Sequence, residues 1–335
     1  MIYITCPVNM YTGGPTLAHQ LCFTLNANGI KSKMLYEGKL QKGQSPVHKN
    51  YMAFQNPYET EIEDNENDII IILETKTCLL KKYRKAKKYI WWMSVDNYYV
   101  SRLTMYERLL RKIGKFTFDI SNEMKKKERS TQKMLSDSNV EHLVQSEYAK
   151  LFLLHNGVSA PKIHYLTDYI EEEVCKLASE VVGAQRKNVV LYNPKKGIEF
   201  TRKLIDAMDK ESDMKFIPLI NMSKKEVVDN LCSSKLYIDF GNHPGKDRFP
   251  REAVACGCCI ITGTRGAAAN SIDVPLGDNY KIKDTEENIP IIVDRIKYIL
   301  QNYDSCSMDF LDYKNRILRE KEIFKQEALE LFGSK

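Results

Sequence analysis

The chain is short of long hydrophobic runs. No stretch approaches the roughly 20 apolar residues a membrane-spanning helix requires, and the longest, around residues 69–73, has the length of a strand. The opening MIYITCPVNM lacks a cationic segment ahead of a signal-type apolar core, so export is not expected and the segment reads as a first core strand. The nine cysteines are odd in number and lack paired CxxC spacing, which argues against a disulfide framework or a zinc site and fits a reducing cytoplasm. Cys256, Cys258 and Cys259 cluster on a helix end and an apolar strand, where small buried hydrophobes are expected. The six histidines show no HxxxH-type pairing, so no metal site built by the protein is expected. No Asp-x-Asp stands at a strand end, and GxSxG, P-loop and GxGxxG are absent, as are repeats and low-complexity tracts.

What is present is an ordinary globular composition, 43% hydrophobic and 28% charged over 335 residues, enough for two domains with their own cores. The net charge of +6 is modest but uneven, with cations gathered in LLKKYRKAKK (79–88) and RLLRKIGKF (108–116). Such clusters form a solvated face or attract anionic headgroups or an anionic acceptor. Residues 102–116 set Leu103, Tyr106, Leu109, Leu110 and Ile113 on one helical stripe with Arg108, Arg111, Lys112 and Lys115 interleaved, a candidate peripheral membrane contact or an ordinary packed helix.

Strand and helix signals alternate. Residues 2–6 read as a strand, YTGGP (11–15) as a glycine turn, and 16–28 as a helix ended by Gly29. Strands follow at 33–36, 68–76, 89–97 and 143–146, with a helix carrying the first basic run before residue 89 and another running from Ser146 to Gly157. The pattern restarts after the acidic stretch 168–173. A strand at 188–192, the turn NPKKG (193–197), a helix at 199–208 and a strand at 215–220 lead to a helix whose Ser223 and Glu226 form a capping box. This predicts an α/β chain of two Rossmann-like domains with parallel sheets facing a cleft, residues 1–175 and 176–311, then a C-terminal helix at 312–335.

The densest chemistry lies in KLYIDFGNHPGKDRFPREAVACGCCIITGTRGAAAN (235–270). A strand at 236–240 stops at Gly241, a basic loop follows, and Pro250 opens a helix at 251–256 closed by Gly257. A loop leaving a strand's carboxyl end beside a helix N-terminus is where open parallel sheets bind ligands, and the N–H groups there favour anions. Lys246, Arg248 and Arg251 add cations, and Glu252 offers a bidentate acceptor for two sugar hydroxyls. Phosphate plus vicinal diol outlines a nucleotide or nucleotide sugar. In the first domain, Gly13 and Gly14 form either a phosphate-holding glycine loop or a plain turn. Asp96 either positions a hydroxyl or takes its proton, or it caps a helix starting near Asn97. Of Trp91 and Trp92, core packing is the default for both, although alternation allows one to face a sugar.

FPREAVACGCCII resembles the glutamate-containing region of retaining GT-B glycosyltransferases, family 4-like. Residues 243–252, HPGKDRFPRE, resemble a bacterial polysaccharide-assembly subgroup carrying HPGKDR-x-PRE. The family's first glutamate, eight positions earlier, is Pro244 here, so that contact to the donor sugar is missing. The resemblance implies a donor site holding Gly13 and Gly14 in the first domain. In the second it implies Asn193, Lys196, His243, Gly245, Lys246, Asp247, Arg248, Arg251 and Glu252, with Lys196 at the diphosphate and Glu252 at the ribose. Asp96, Lys196 and Arg248 would carry the catalysis, without metal or cofactor, and the C-terminal helix would pack back on the first domain. The expected activity is transfer from a nucleotide sugar to a saccharide or lipid-linked acceptor in cell-surface polysaccharide synthesis, in the cytoplasm or at the inner face of the membrane, with no nucleic acid bound. A sugar-nucleotide epimerase and a non-catalytic basic nucleic-acid binder are the alternatives.

Overall fold

The computed structural model describes residues 1–41, 43–113, 118–180, 185–208 and 214–333. The chain divides into two compact units, Met1–Asp168 with Ile323–Lys335, and Tyr169–Glu322. The first boundary follows Asp168, seven residues before the 175/176 division read from the sequence.

The first unit is built on β1 (Ile2–Pro7), α1 (Gly13–Ala27), β2 (Ser32–Glu37), β3 (Tyr58–Glu59), β4 (Ile69–Leu73), β5 (Lys87–Trp92), α2 (Val95–Ser101), α3 (Met105–Lys112), α4 (Ile120–Leu135), β6 (Val140–Val144), α5 (Glu147–His155) and β7 (Ile163–Tyr165). Its seven strands pair in parallel in the order β3-β2-β1-β4-β5-β6-β7. The order reverses between β1 and β4, which opens a crevice outside their carboxyl ends. Near-continuous apolar runs such as Ile69–Leu73 suit strands covered on both faces.

The first basic run does not form the expected α-helix. Glu74–Lys81 is a 3-10 segment and Lys87 already begins β5, because the run lacks the apolar spacing of 3.6 residues that would bury one face. Trp91 and Trp92 are both fully buried, donating their indole N–H groups to the Leu166 carbonyl (3.2 Å) and to His142 Nδ1 (3.0 Å), so neither faces a sugar. Of the 102–116 segment, α3 is described and residues 114–116 lie outside the described residues.

The second unit holds α6 (Glu172–Glu180), β8 (Lys187–Tyr192), α7 (Ile198–Ala207), β9 (Lys215–Pro218), α8 (Lys224–Ser233), β10 (Ser234–Asp239), α9 (Arg248–Ala255), β11 (Cys259–Thr262), α10 (Ile289–Gln301), α11 (Tyr303–Met308) and α12 (Leu311–Phe332). Four parallel strands run β11-β10-β8-β9, with the reversal between β8 and β10. The Ser223–Glu226 capping box is formed at α8. Cys256, Cys258 and Cys259 are buried free thiols in the core of this unit. Residues of α12 from Ile323 onward belong to the first unit, where Phe324 stacks on Trp91 with centroids 6.5 Å apart. No helix among the described residues is long and apolar enough to cross a membrane.

Candidate active site

The β8 and β10 loops meet at the point where the second sheet reverses. Gly197 has φ +58°, and a Cβ there would lie 2.6 Å from the Phe240 backbone; one on Gly241 would lie 2.4 Å from Lys196 Cβ. Only glycines let these loops close on one another. Asn193 shapes the β8 turn, its side-chain oxygen accepting from the Lys195 N–H at 3.0 Å. That turn presents Lys196, whose ammonium lies 2.6 Å from Asp247 Oδ2.

The helix of the motif starts earlier than Pro250. Asp247 is the N-cap of α9, which makes Arg248 the first helical residue and places Pro250 third. Proline tolerates this first turn because its missing N–H would have no partner there. The Asp247 carboxylate makes no capping bond and turns instead to Lys196 and to His243 Nδ1, 3.0 Å away. His243 is buried, with Nε2 3.6 Å from Asp239 Oδ1. Asp239, the last residue of β10, accepts from the Gly241 N–H on Oδ1 and from the Tyr237 hydroxyl on Oδ2, both at 3.0 Å.

Burial raises the Asp247 pKa, but its bonds to His243 and Lys196 outweigh that and leave it below the usual carboxylate value. Burial lowers that of His243, and the Asp247 bond with the charges of Asp239 and Asp247 leaves it above the ordinary imidazole value. Asp239, His243 and Asp247 can place one ligand atom each within 4.8 Å of one another, a spacing an ion could use. The carboxylate oxygens are already engaged by Gly241, Tyr237, Lys196 and His243 Nδ1, while His243 Nε2 makes no hydrogen bond among the described residues and faces Asp239 at ion-pair distance, so the arrangement reads as an ion-pair chain.

Arg251 and Lys246 point into the protein. Arg251 is 1% exposed; its Nη1 lies 2.7 Å from Glu320 Oε2, and it donates to the backbone carbonyls of Asp247 (3.2 Å) and Lys246 (3.1 Å). Lys246 Nζ lies 2.9 Å from Glu320 Oε1, and Gly245 beside it is buried. These two cations therefore pin the loop instead of facing a phosphate, which corrects the placement expected from the motif. Arg248 remains partly exposed and pairs with Glu171 at 3.3 Å.

Glu252 differs from these carboxylates. It is half-buried, and among the described residues its carboxylate makes no hydrogen bond or ion pair. Its pKa is raised by burial, opposed by Arg248 and reinforced by the charge of Glu171.

In the first unit, Gly13 opens α1 with nothing within 4 Å of where a Cβ would stand, and Gly14 faces the Met93 sulfur at 3.4 Å. Asp96 is buried in the first turn of α2. It is not the cap: Ser94 accepts from the Asn97 N–H at 3.1 Å. Asp96 hydrogen-bonds the Tyr148 hydroxyl, whose pKa is raised by burial and then by the Asp96 charge.

Sequence reasoning did not single out Glu320, Glu171, Asp239 or Glu74. Glu74 follows β4 at the first sheet's reversal, accepts from the Met93 N–H at 3.4 Å, and is pushed up to about pKa 8 by burial. Only Asp239 and Glu74 carried a signal, each standing at the end of a strand.

No protein-family profile matches the chain, and no curated protein sequence matches it either. Solved structures do. Sucrose-phosphate synthase from Thermosynechococcus elongatus superposes with TM-score 0.63 at 11% identity, covering 99% of this chain and 98% of that one. Anabaena HepE in complex with UDP-glucose gives 0.63 at 10%, covering 100% and 99%. WaaG, a glycosyltransferase involved in lipopolysaccharide biosynthesis, gives 0.55 at 11%, covering all of both chains. At these identities the likeness is one of architecture: the fold is α/β, of the GT-B type, with two Rossmann-like domains built on parallel sheets.

Proposed function

We propose that the chain is a glycosyltransferase that takes a nucleotide sugar in its second unit and transfers the sugar to a saccharide or lipid-linked saccharide acceptor in cell-surface polysaccharide synthesis. One observation carries this reading. The unpartnered Glu252 carboxylate stands in the first turns of α9 beside Arg248, where the strand order reverses and helix N–H groups attract a phosphate. A carboxylate without a protein partner and a cation on the adjacent turn suit a ribose diol and a diphosphate. HepE has been solved in complex with UDP-glucose and with UDP, both ligands of this class.

In this reading the acceptor oxygen attacks the anomeric carbon as the bond to the diphosphate breaks. The departing phosphate oxygen takes the acceptor proton on the same face, which retains configuration. Lys196, Arg248 and the α9 N–H groups stabilise the charge that develops on the diphosphate. Gly13 and Gly14 are assigned to donor binding and Asp96 to catalysis, and no metal is required.

Thermal-shift measurement against a panel of nucleotide sugars tests the donor; a ligand at 100 times its dissociation constant stabilises by about 2.7 kcal/mol. Nucleotide release that depends on a saccharide acceptor and survives EDTA supports transfer. Release without acceptor dependence points to another use of the site, and loss of turnover in EDTA, restored by magnesium or manganese, contradicts the metal-free mechanism.

We also propose peripheral docking on anionic lipid through α3. Met105, Tyr106, Leu109 and Ile113 are 90%, 69%, 57% and 55% exposed, and no residue of the helix is buried. At about 100° per residue they share one face. Lys112 borders it, whereas Arg111 lies on the opposite side of the helix, over the Phe118 ring at 5.6 Å, and Arg108 donates to the Leu103 carbonyl at 3.0 Å and is tied to the fold. Binding to anionic vesicles should weaken with salt and fall in Lys112→Gln. Wild-type chain that ignores such vesicles at low salt would remove this part of the proposal.

A further inference from the structure

The HPGKD segment is placed in series behind Lys196. Side-chain exposure falls inward along the chain of contacts, from 30% at Lys196 and 19% at Asp247 to 1% at His243 and 2% at Asp239. We propose that His243 and Asp247 are positioning residues that do not touch the donor. An imidazolium bridges Asp239 and Asp247, and Asp247 holds the Lys196 ammonium, so that a buried proton sets the charge presented to the donor diphosphate. The inference rests on the nucleotide-sugar reading given above.

Geometry selects the charged ring. His243 Nδ1 shares a hydrogen bond with Asp247 at 3.0 Å, while Nε2 faces Asp239 Oδ1 at 3.6 Å, too long for a good hydrogen bond but close for an ion pair. A neutral ring protonated on Nδ1 would point a bare lone pair at the Asp239 carboxylate; the imidazolium points an N–H there. Moving the neutral ring's proton to Nε2 exposes Asp247 to the same repulsion.

The backbone holds this register. His243 forms a parallel bridge with Gly266, and a Cβ on Gly266 would fall 2.0 Å from the His243 carbonyl oxygen. The Ala267 N–H donates to that oxygen at 2.8 Å.

The charges then balance. Lys196 and His243 are positive, Asp239 and Asp247 negative, and the cluster is neutral. Loss of the His243 proton leaves one net negative charge beside the site of a dianionic diphosphate. The charged groups acting on the ring are Asp239 from β10, Asp247 at the head of α9 and Lys196 from the β8–α7 turn, the last opposing protonation. The carboxylates prevail, so the His243 pKa lies above the ordinary imidazole value and the proton is lost as pH rises through it.

The test uses the intact protein and UDP-glucose, whose diphosphate diester has no proton to lose near neutrality. Wild-type affinity should fall by about tenfold as pH rises through the His243 pKa. The profile should flatten in His243→Gln and shift to lower pH in Asp247→Asn. A wild-type affinity independent of pH, or a His243→Gln profile that keeps the wild-type slope, overturns the relay. NMR titration of the ring decides the relay independently of the donor. His243 should titrate above about 6.5, and lower in Asp247→Asn; titration at or below that value in the wild type overturns it. Failure to bind any nucleotide sugar in the thermal-shift panel overturns instead the reading on which the inference rests.

Discussion

Glu320→Gln should be among the most destabilising conservative substitutions in the second unit. The residue is 2% exposed and receives two cations, Lys246 Nζ at 2.9 Å and Arg251 Nη1 at 2.7 Å, both on side chains that are themselves nearly solvent-free. Glutamine preserves the shape but removes the negative charge that Glu320 sets against both buried cations. Removing one partner of a buried ion pair costs about 3–5 kcal/mol, because the remaining charge has lost its water and gains nothing in exchange. Set against a typical stability of about 5–15 kcal/mol, this is about a fifth of the total or more. Urea unfolding followed by circular dichroism reads it as a fall in the midpoint at similar slope. A loss below about 1 kcal/mol would refute the reasoning, for it would mean that Lys246 and Arg251 reach solvent or other acceptors.

Gly266→Ala should destabilise by more than the roughly 1–3 kcal/mol of a strained backbone alone, since the new Cβ would overlap the His243 carbonyl; unchanged thermal stability would contradict that close approach. Glu74 keeps its proton in the folded state up to about pH 8, against 4.5 for the free group. Its favourable contribution is therefore complete below about pH 4.5 and is lost as pH rises to about 8, by on the order of a few kcal/mol. Glu74→Gln should remove that decline from the pH profile of unfolding, and a profile matching the wild type would show that the buried carboxyl does not govern it.

Much of the fold was legible because its signals are local. Ser146 caps α5 and the Ser223–Glu226 box opens α8 where the sequence placed them. Gly257, at φ +90°, follows α9 at its predicted end. The start of α9 was misread because Pro250 is a stronger signal than Asp247, and only the structure shows the aspartate taking the cap position with its carboxylate engaged elsewhere. The helices α3 and α4 follow one another with few buried side chains, so α4 left little apolar periodicity to detect.

The site divides in the same way. Glu252 and the Lys-Gly pair at 196 are visible as motif residues, but whether a cation faces outward depends on partners far away in sequence. No spacing links Arg251 to Glu320, or Arg248 to Glu171, and these pairings decide which charges remain for a ligand.

The central claim is that the second unit binds a nucleotide sugar through Glu252. Titration calorimetry of the wild type and Glu252→Gln, with whichever nucleotide sugar raises the melting temperature most, tests it directly. A charge-assisted hydrogen bond contributes roughly 1.5–3 kcal/mol, so affinity should fall about tenfold or more while the unfolding midpoint stays in place. Equal affinity of the two folded proteins for that ligand would contradict the account.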